Sequence, residues 1–209
     1  MLDRQMSDFS TIGIVILAAG ASTRLGTPKQ LLQYRGRSLL RHTAEIALAS
    51  GCQPIVVVLG AQSEQLEAEV QQLPVTTIRN SRWAEGMSSS IQTGLKTLRS
   101  IEPTIEAVII LLCDQPFVSV SLVHQLIEAY DRTGTLIVAS EYADTLGVPA
   151  LFSHALFPVL MTLQADRGAR FVIQNHVQAV ARILFPLGTV DIDTSSDYEQ
   201  LLHTIAEQH

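Results

Sequence analysis

The sequence is poor in charge, in aromatic rings and in cysteine, and each shortage narrows what the chain can be. Only 16% of its 209 residues are charged, against 47% hydrophobic, which excludes an intrinsically disordered chain and calls for a sizeable core. The net charge of -6 comes with no run of Lys and Arg to track a phosphate backbone, so no nucleic-acid partner is expected. The two cysteines, Cys52 and Cys113, stand far apart in apolar surroundings, and buried free thiols of a reducing compartment are expected. No stretch reaches the ~18 apolar residues of a membrane span. Residues 1–10 lack the cationic start and apolar run of a signal peptide. A cytoplasmic location with no membrane partner is the expectation. The six histidines show no zinc spacing, and there is no Gly-x-Ser-x-Gly elbow.

Two well-known phosphate loops are also missing. Gly26 is followed by Thr27 and Pro28, which breaks the Walker pattern, and Ser22 breaks Gly-x-Gly-x-x-Gly. What stands there is four aliphatic residues, 14–17, then Leu17-Ala-Ala-Gly-Ala-Ser-Thr-Arg-Leu-Gly-Thr-Pro-Lys29. The aliphatic run suits a strand buried on both faces of a parallel sheet. The small residues after it let a backbone approach a ligand closely, and Arg24 and Lys29 face whatever anion the loop collects.

The rest of the chain alternates. Leu40, Ala44, Ala47 and Leu48 predict a helix ended by Gly51, residues 55–59 a second buried strand, Leu66, Val70 and Leu73 a short helix, and residues 75–78 a third strand. Residues 80–95 break the pattern with Ser88, Ser89 and Ser90 ahead of a helical stripe, serving either a ligand or ordinary helix capping. Residues 107–113 are the most apolar run, stopped by Asp114-Gln-Pro116. A carboxylate at the carboxyl end of a central parallel strand sits where open α/β sheets bind ligands, and it suits Mg²⁺ better than the alternative role of capping the helix begun near Ser119. Further strands are expected at 136–139 and, weakly, at 177–185, with a helix through Leu156, Val159, Leu160 and Leu163 and a charged turn at 166–170. Thr194 and Asp197 have the spacing of a capping box, which places Asp191 and Asp193 in the turn entering the last helix. The expected architecture is a three-layer α/β/α, Rossmann-like, mostly parallel sheet, with residues 1–10 flexible and 11–209 a single domain.

These motifs together resemble the molybdenum-cofactor nucleotidyltransferases, particularly the cytidylyl-transferring branch. The resemblance rests on the 17–29 loop, Trp83-Ala-Glu-Gly-Met-Ser-Ser-Ser-Ile91 with Gly94-Leu95, Asp114-Gln-Pro116, Gly147-Val-Pro149, Asp166-Arg-Gly-Ala-Arg170 and Asp191-Ile-Asp-Thr194. Guanylyl-transferring relatives usually carry Ala-Gly-Gly where this chain has Ala18-Ala19-Gly20, hence the cytidylyl expectation. Ala165, Val148 and Ser195 depart from the family pattern, Val148 on the acceptor side.

The resemblance implies that the backbone of Leu17, Ala18, Ala19 and Gly20, with Ser89 and Ser90, holds the base and ribose of CTP or another nucleoside triphosphate. Arg24, Lys29 and Asp114 would be the catalytic groups, with the two cations on the triphosphate. Asp114 and Asp193 would hold Mg²⁺, Asp191 being the other choice for the second ligand. Gly147, Pro149 and Arg170 would meet a molybdopterin-type phosphate acceptor, and a molybdoenzyme could receive the product. Two other outcomes stay open: a transferase for another phosphate acceptor, such as methylerythritol phosphate or a sugar 1-phosphate, and a non-catalytic carrier of the cofactor.

Overall fold

A computed structural model describes residues 12–21, 26–165, 167–192 and 194–206 of the chain. Its first aliphatic run becomes β1 (Ile12–Ala18), buried along its whole length. After a small hairpin, β2 (Gln33–Tyr34) and β3 (Arg37–Ser38), come α1 (Leu39–Ala49), β4 (Ile55–Leu59), α2 (Ser63–Val70), β5 (Thr76–Arg79) and α3 (Met87–Ile101). The second half runs β6 (Ala107–Leu112), α4 (Val120–Thr133), β7 (Ile137–Tyr142), β8 (Thr145–Ser153), α5 (Phe157–Met161), α6 (Ala169–Asn175), β9 (Val180–Leu184) and α7 (Ser195–Ala206).

Seven strands form one sheet in the order β5-β4-β1-β6-β8-β7-β9. Every pairing is parallel except those of β8, which lies antiparallel between β6 and β7. The sheet is buried on both faces, as period-two alternation along β1 dictates. Ile14 and Ile16 pack with Leu40 and Ala44 of α1 and Leu126 of α4. Val15 and Leu17 pack on the opposite face with Ile91 and Leu95 of α3 and Val172 of α6. This is the three-layer, mostly parallel α/β/α architecture of the nucleotidyltransferase type.

Local signals end the elements as the residues require. Gly51, at φ 80, follows the Ser50 cap of α1 in the left-handed region that favours glycine. Thr194 N–H donates to Asp197 Oδ2 at 2.7 Å and Asp197 N–H to Thr194 Oγ1 at 3.2 Å, a complete capping box. Three segments differ from the sequence expectation. Residues 145–153 form a strand, β8, that the sequence did not mark, and the small hairpin of β2 and β3 was not foreseen. Arg170 lies in the first turn of α6, not in a charged turn, because Ala169, Val172 and Ile173 give that short segment a buried face. Both cysteines are buried and unpaired. Among the described residues, no helix is long and apolar enough to cross a membrane.

Candidate functional site

The carboxyl ends of β1 and β6 are neighbours in the sheet, and their loops meet over one cleft. Gln30, 1% exposed, donates its side-chain amide to the carbonyls of Ala18 at 3.1 Å and Gly20 at 2.8 Å, so the turn after β1 is tied from below. Beside it, Lys29 Nζ reaches Asp114 Oδ2 at 2.6 Å, across 85 residues of sequence. Asp114 follows the end of β6 by two residues. It caps no helix. The cap of α4 is Ser119, whose Oγ accepts from Leu122 N–H at 3.2 Å.

The other oxygen of Asp114, Oδ1, is buried and has no hydrogen-bond partner among the described residues. A buried orphan acceptor costs on the order of 1–3 kcal/mol, so a carboxylate oxygen left in that condition beside a cleft fits a hard cation. Among the described residues no three His, Cys, Asp or Glu side chains converge to cage an ion. A Mg²⁺-type ion needs no such cage, since it takes one or two carboxylates and completes its shell with water and phosphate oxygens. Arg24, Asp166 and Asp193 lie outside the described residues. Asp191 is exposed, and Ile192 between the two aspartates donates its N–H to the Asp114 carbonyl at 3.2 Å, which brings this segment alongside β6.

The cleft has two chambers. The first, about 440 Å³, is lined by Leu17, Ala19, Gly20, Lys29, Ser90 and Asp114, together with Trp83 and Met87. The second, about 230 Å³, shares Leu17, Met87 and Leu112 with it and adds Tyr142, Gly147, Val148 and Arg170. Arg170 is exposed and donates to Thr145 Oγ1 at 2.7 Å. Pro149 is buried behind this chamber, its carbonyl taking the Ser140 hydroxyl at 2.7 Å. Ala18 likewise stands behind the first chamber, with its carbonyl held by Gln30. A separate hollow of about 370 Å³ at Arg79, Arg82 and Lys96 holds neither Lys29 nor Asp114. Its arginines are already paired, Arg79 with Glu67 at 3.0 Å and Arg82 with Glu85 at 3.4 Å.

The serines divide their roles. α3 starts directly after Gly86 with no side-chain cap, so none of the three caps it. Ser89 Oγ donates to the carbonyls of Arg82 and Gly86 at 2.8 and 2.9 Å and accepts from Asn80 at 2.8 Å, which commits it to the wall. Ser90 Oγ accepts from Asn80 at 3.0 Å and lies on the cleft.

Electrostatics quiet the remaining groups. Burial, then the Asp114 charge, pushes the Cys113 thiol up to about 12, so it is no nucleophile at neutral pH. Burial raises the Tyr142 phenol, with the Asp191 charge next. Burial also lowers His42, whose Nε2–H donates to the Pro116 carbonyl at 3.1 Å and steadies the turn after Asp114 from α1. Gln30 and Tyr142 were not singled out from sequence, and Trp83 and Met87 stood there only as members of a motif, with no role given. Only the neighbourhood of Gln30 to Lys29, and of Trp83 and Met87 to the serines, could have marked them.

Over residues 14–180 the sequence matches the family described as the MobA-like NTP transferase domain. It is 35% identical over 177 residues to nicotine blue oxidoreductase of Paenarthrobacter nicotinovorans, covering 81% of this chain and 84% of that one. A crystal structure of the Mycobacterium sp. strain JC1 homologue of Mycobacterium tuberculosis Rv0371c superposes with a TM-score of 0.81 at 32% identity, over 95% of this chain and 98% of that one. Rv0371c from Mycobacterium tuberculosis, crystallised in complex with manganese, gives 0.77 at 27% identity, over 93% of this chain and 99% of that one.

Proposed function

The chain belongs to the MobA-like NTP transferase family, and we propose that it joins CMP, taken from CTP, to the terminal phosphate of a molybdopterin-type acceptor with release of pyrophosphate. One observation carries this reading. Lys29 and Asp114 meet at 2.6 Å in a cleft at the carboxyl ends of β1 and β6, and Asp114 keeps a second, buried oxygen with no partner among the described residues. A cation for phosphate oxygens and a carboxylate for a divalent ion are thus held together, where open α/β sheets bind ligands.

A phosphate monoester has a second pKa near ~6 and is already a dianion at neutral pH, so no general base is required. An oxygen of that dianion attacks the α-phosphorus; the bond from it to the β-bridging oxygen breaks, and the electron pair leaves with pyrophosphate. The obstacle is repulsion between two anions, so positioning and charge neutralisation carry the rate. Lys29, and Arg24 by the family resemblance, hold the triphosphate. Leu17, Gly20 and Ser90 hold the nucleoside in the first chamber, and Gly147 and Arg170 face the acceptor in the second. Asp114, with Asp193 by resemblance, would hold Mg²⁺, which when bound neutralises phosphate charge. The manganese complex of Rv0371c supports divalent-metal use.

Pyrophosphate release followed with each of the four triphosphates and molybdopterin tests the reading, with CTP expected to be best. Asp114→Asn should lower kcat by ~100-fold or more, the scale of losing one charged partner in a transition state, with the fold intact by circular dichroism. Full metal-dependent turnover by that variant would remove Asp114 from the mechanism. Tight cofactor binding without turnover would favour a carrier. A second reading follows from the relative named as an oxidoreductase, because the apolar wall of Leu17, Ile110 and Val148 also suits a flat redox substrate. Electron transfer to a dye substrate, with no pyrophosphate from any triphosphate, would select it.

A further inference from the structure

Trp83 is the only tryptophan in the chain, and the fold keeps its ring from being buried. It opens a single 3-10 turn, Trp83–Glu85, closed by Gly86 at φ 107, from which α3 departs. That turn is fixed at both ends, with Trp83 N–H donating to Asn80 O at 3.3 Å and Trp83 O accepting from Gly86 N–H at 3.2 Å. Its base is pinned as well. A Cβ placed on Gly60, at the end of β4, would lie 2.7 Å from Trp83 Cβ and 2.5 Å from Ala19 O, so only a glycine lets Trp83 sit against the first loop. Yet the side chain is 36% exposed, and among the described residues its indole has no ring partner, cation or hydrogen bond. Rigid support and an idle aromatic face on a cleft wall are the makings of a binding surface.

The sheet order says which part of a ligand meets it. Lys29 and Asp114 stand over β1 and β6, and the second chamber opens toward β8. Trp83 lines the first chamber only, on the β4 side, opposite the second. A triphosphate anchored at Lys29, with its α-phosphorus turned to the second chamber, therefore extends its nucleoside toward Trp83. We infer that Trp83 is the stacking platform for the nucleobase, an inference that rests on the nucleotide-transfer reading of the cleft. Stacking tolerates any base, so Trp83 contributes affinity and leaves base choice to the polar edge at Ser90 and the loop backbone.

The single tryptophan makes the test direct. In the wild-type chain, CTP should quench the indole emission saturably, whereas inorganic tripolyphosphate alone should leave the emission unchanged and, added after CTP, should restore it by displacing the nucleotide. Trp83→Ala should raise the KM for CTP about tenfold, the scale of one lost base–aromatic stack, with kcat and the ratio between triphosphates kept. Trp83→Phe should restore most of the loss, and it guards against an Ala variant that fails to fold. Emission that ignores CTP at concentrations supporting pyrophosphate release would overturn the platform and leave the transfer reading standing. Saturable quenching with no pyrophosphate from any triphosphate would overturn transfer and keep the platform.

Discussion

Gly20 and Gly94 show how one residue type answers to two different demands. Among the described residues, a Cβ on Gly20 would meet no atom within 4 Å, and its φ is not in the left-handed region, so nothing described in the fold asks for glycine there. What the missing methyl leaves open is space in the cleft. Gly20→Ala should therefore keep or slightly raise stability, by about 0.4–1 kcal/mol through the unfolded chain, while raising the KM for triphosphate. Urea melts and steady-state kinetics on the same preparation check both halves, and an unchanged KM would release Gly20 from the ligand. Lys29 supplies a second residue-scale prediction. On the proposed reading, in which it holds phosphate charge, Lys29→Ala should weaken triphosphate binding more than monophosphate binding in calorimetry; equal losses would count against the contact. Both residues were legible in the loop motif. Gln30 was not, since a buried glutamine that ties two carbonyls has no spacing to betray it before the chain is folded.

At the scale of elements, α3 sets the width of the cleft, because its first turn brings Met87 and Ser90 to the mouth opposite Leu17. Its distance from the sheet depends on Gly94, where an added Cβ would collide with Val15 and come within 2.8 Å of Val58. Gly94→Ala gains ~1 kcal/mol of helix propensity but overpacks a core seam at a cost of about 1–3 kcal/mol, for a net loss of up to about 2 kcal/mol. A lower urea midpoint at unchanged m-value, together with a higher KM, is the expected pair of results. The apolar runs of β1, β4 and β6 could be read directly, since strands buried on both faces show as unbroken aliphatic stretches. β8 could not. Its pairing with β7 is a local hairpin, Tyr142 against Thr145, but its insertion beside β6, antiparallel to that strand too, is decided by residues 107–110, far back in the chain and outside any local window. Helix α6 escaped for a related reason: seven residues are too few for periodicity to outweigh a polar, glycine-containing start.

Across the whole molecule, the candidate site is assembled from segments far apart in the chain: the loop after β1, the turn at Trp83, the start of α3, the end of β6, and β8 with α6. Among the described residues, the Lys29 to Asp114 ion pair spans this meeting point. With a net charge of -6, the protein repels a triphosphate at long range, so on the proposed transfer reading capture would rest on local cations and on a metal at Asp114. A ligand that bridges these segments binds only the folded chain and must stabilise it as a unit. At a hundredfold excess over Kd, CTP with Mg²⁺ should add about 2.7 kcal/mol, which for a domain of this size is a rise in Tm of roughly 5–10 °C. Asp114→Asn should remove the metal's share of that rise and, by removing one carboxylate beside Lys29, leave the metal-free share undiminished. A rise with CTP that metal does not increase in the wild type would separate the nucleotide site from Asp114 and dissolve the common cleft on which the transfer reading stands.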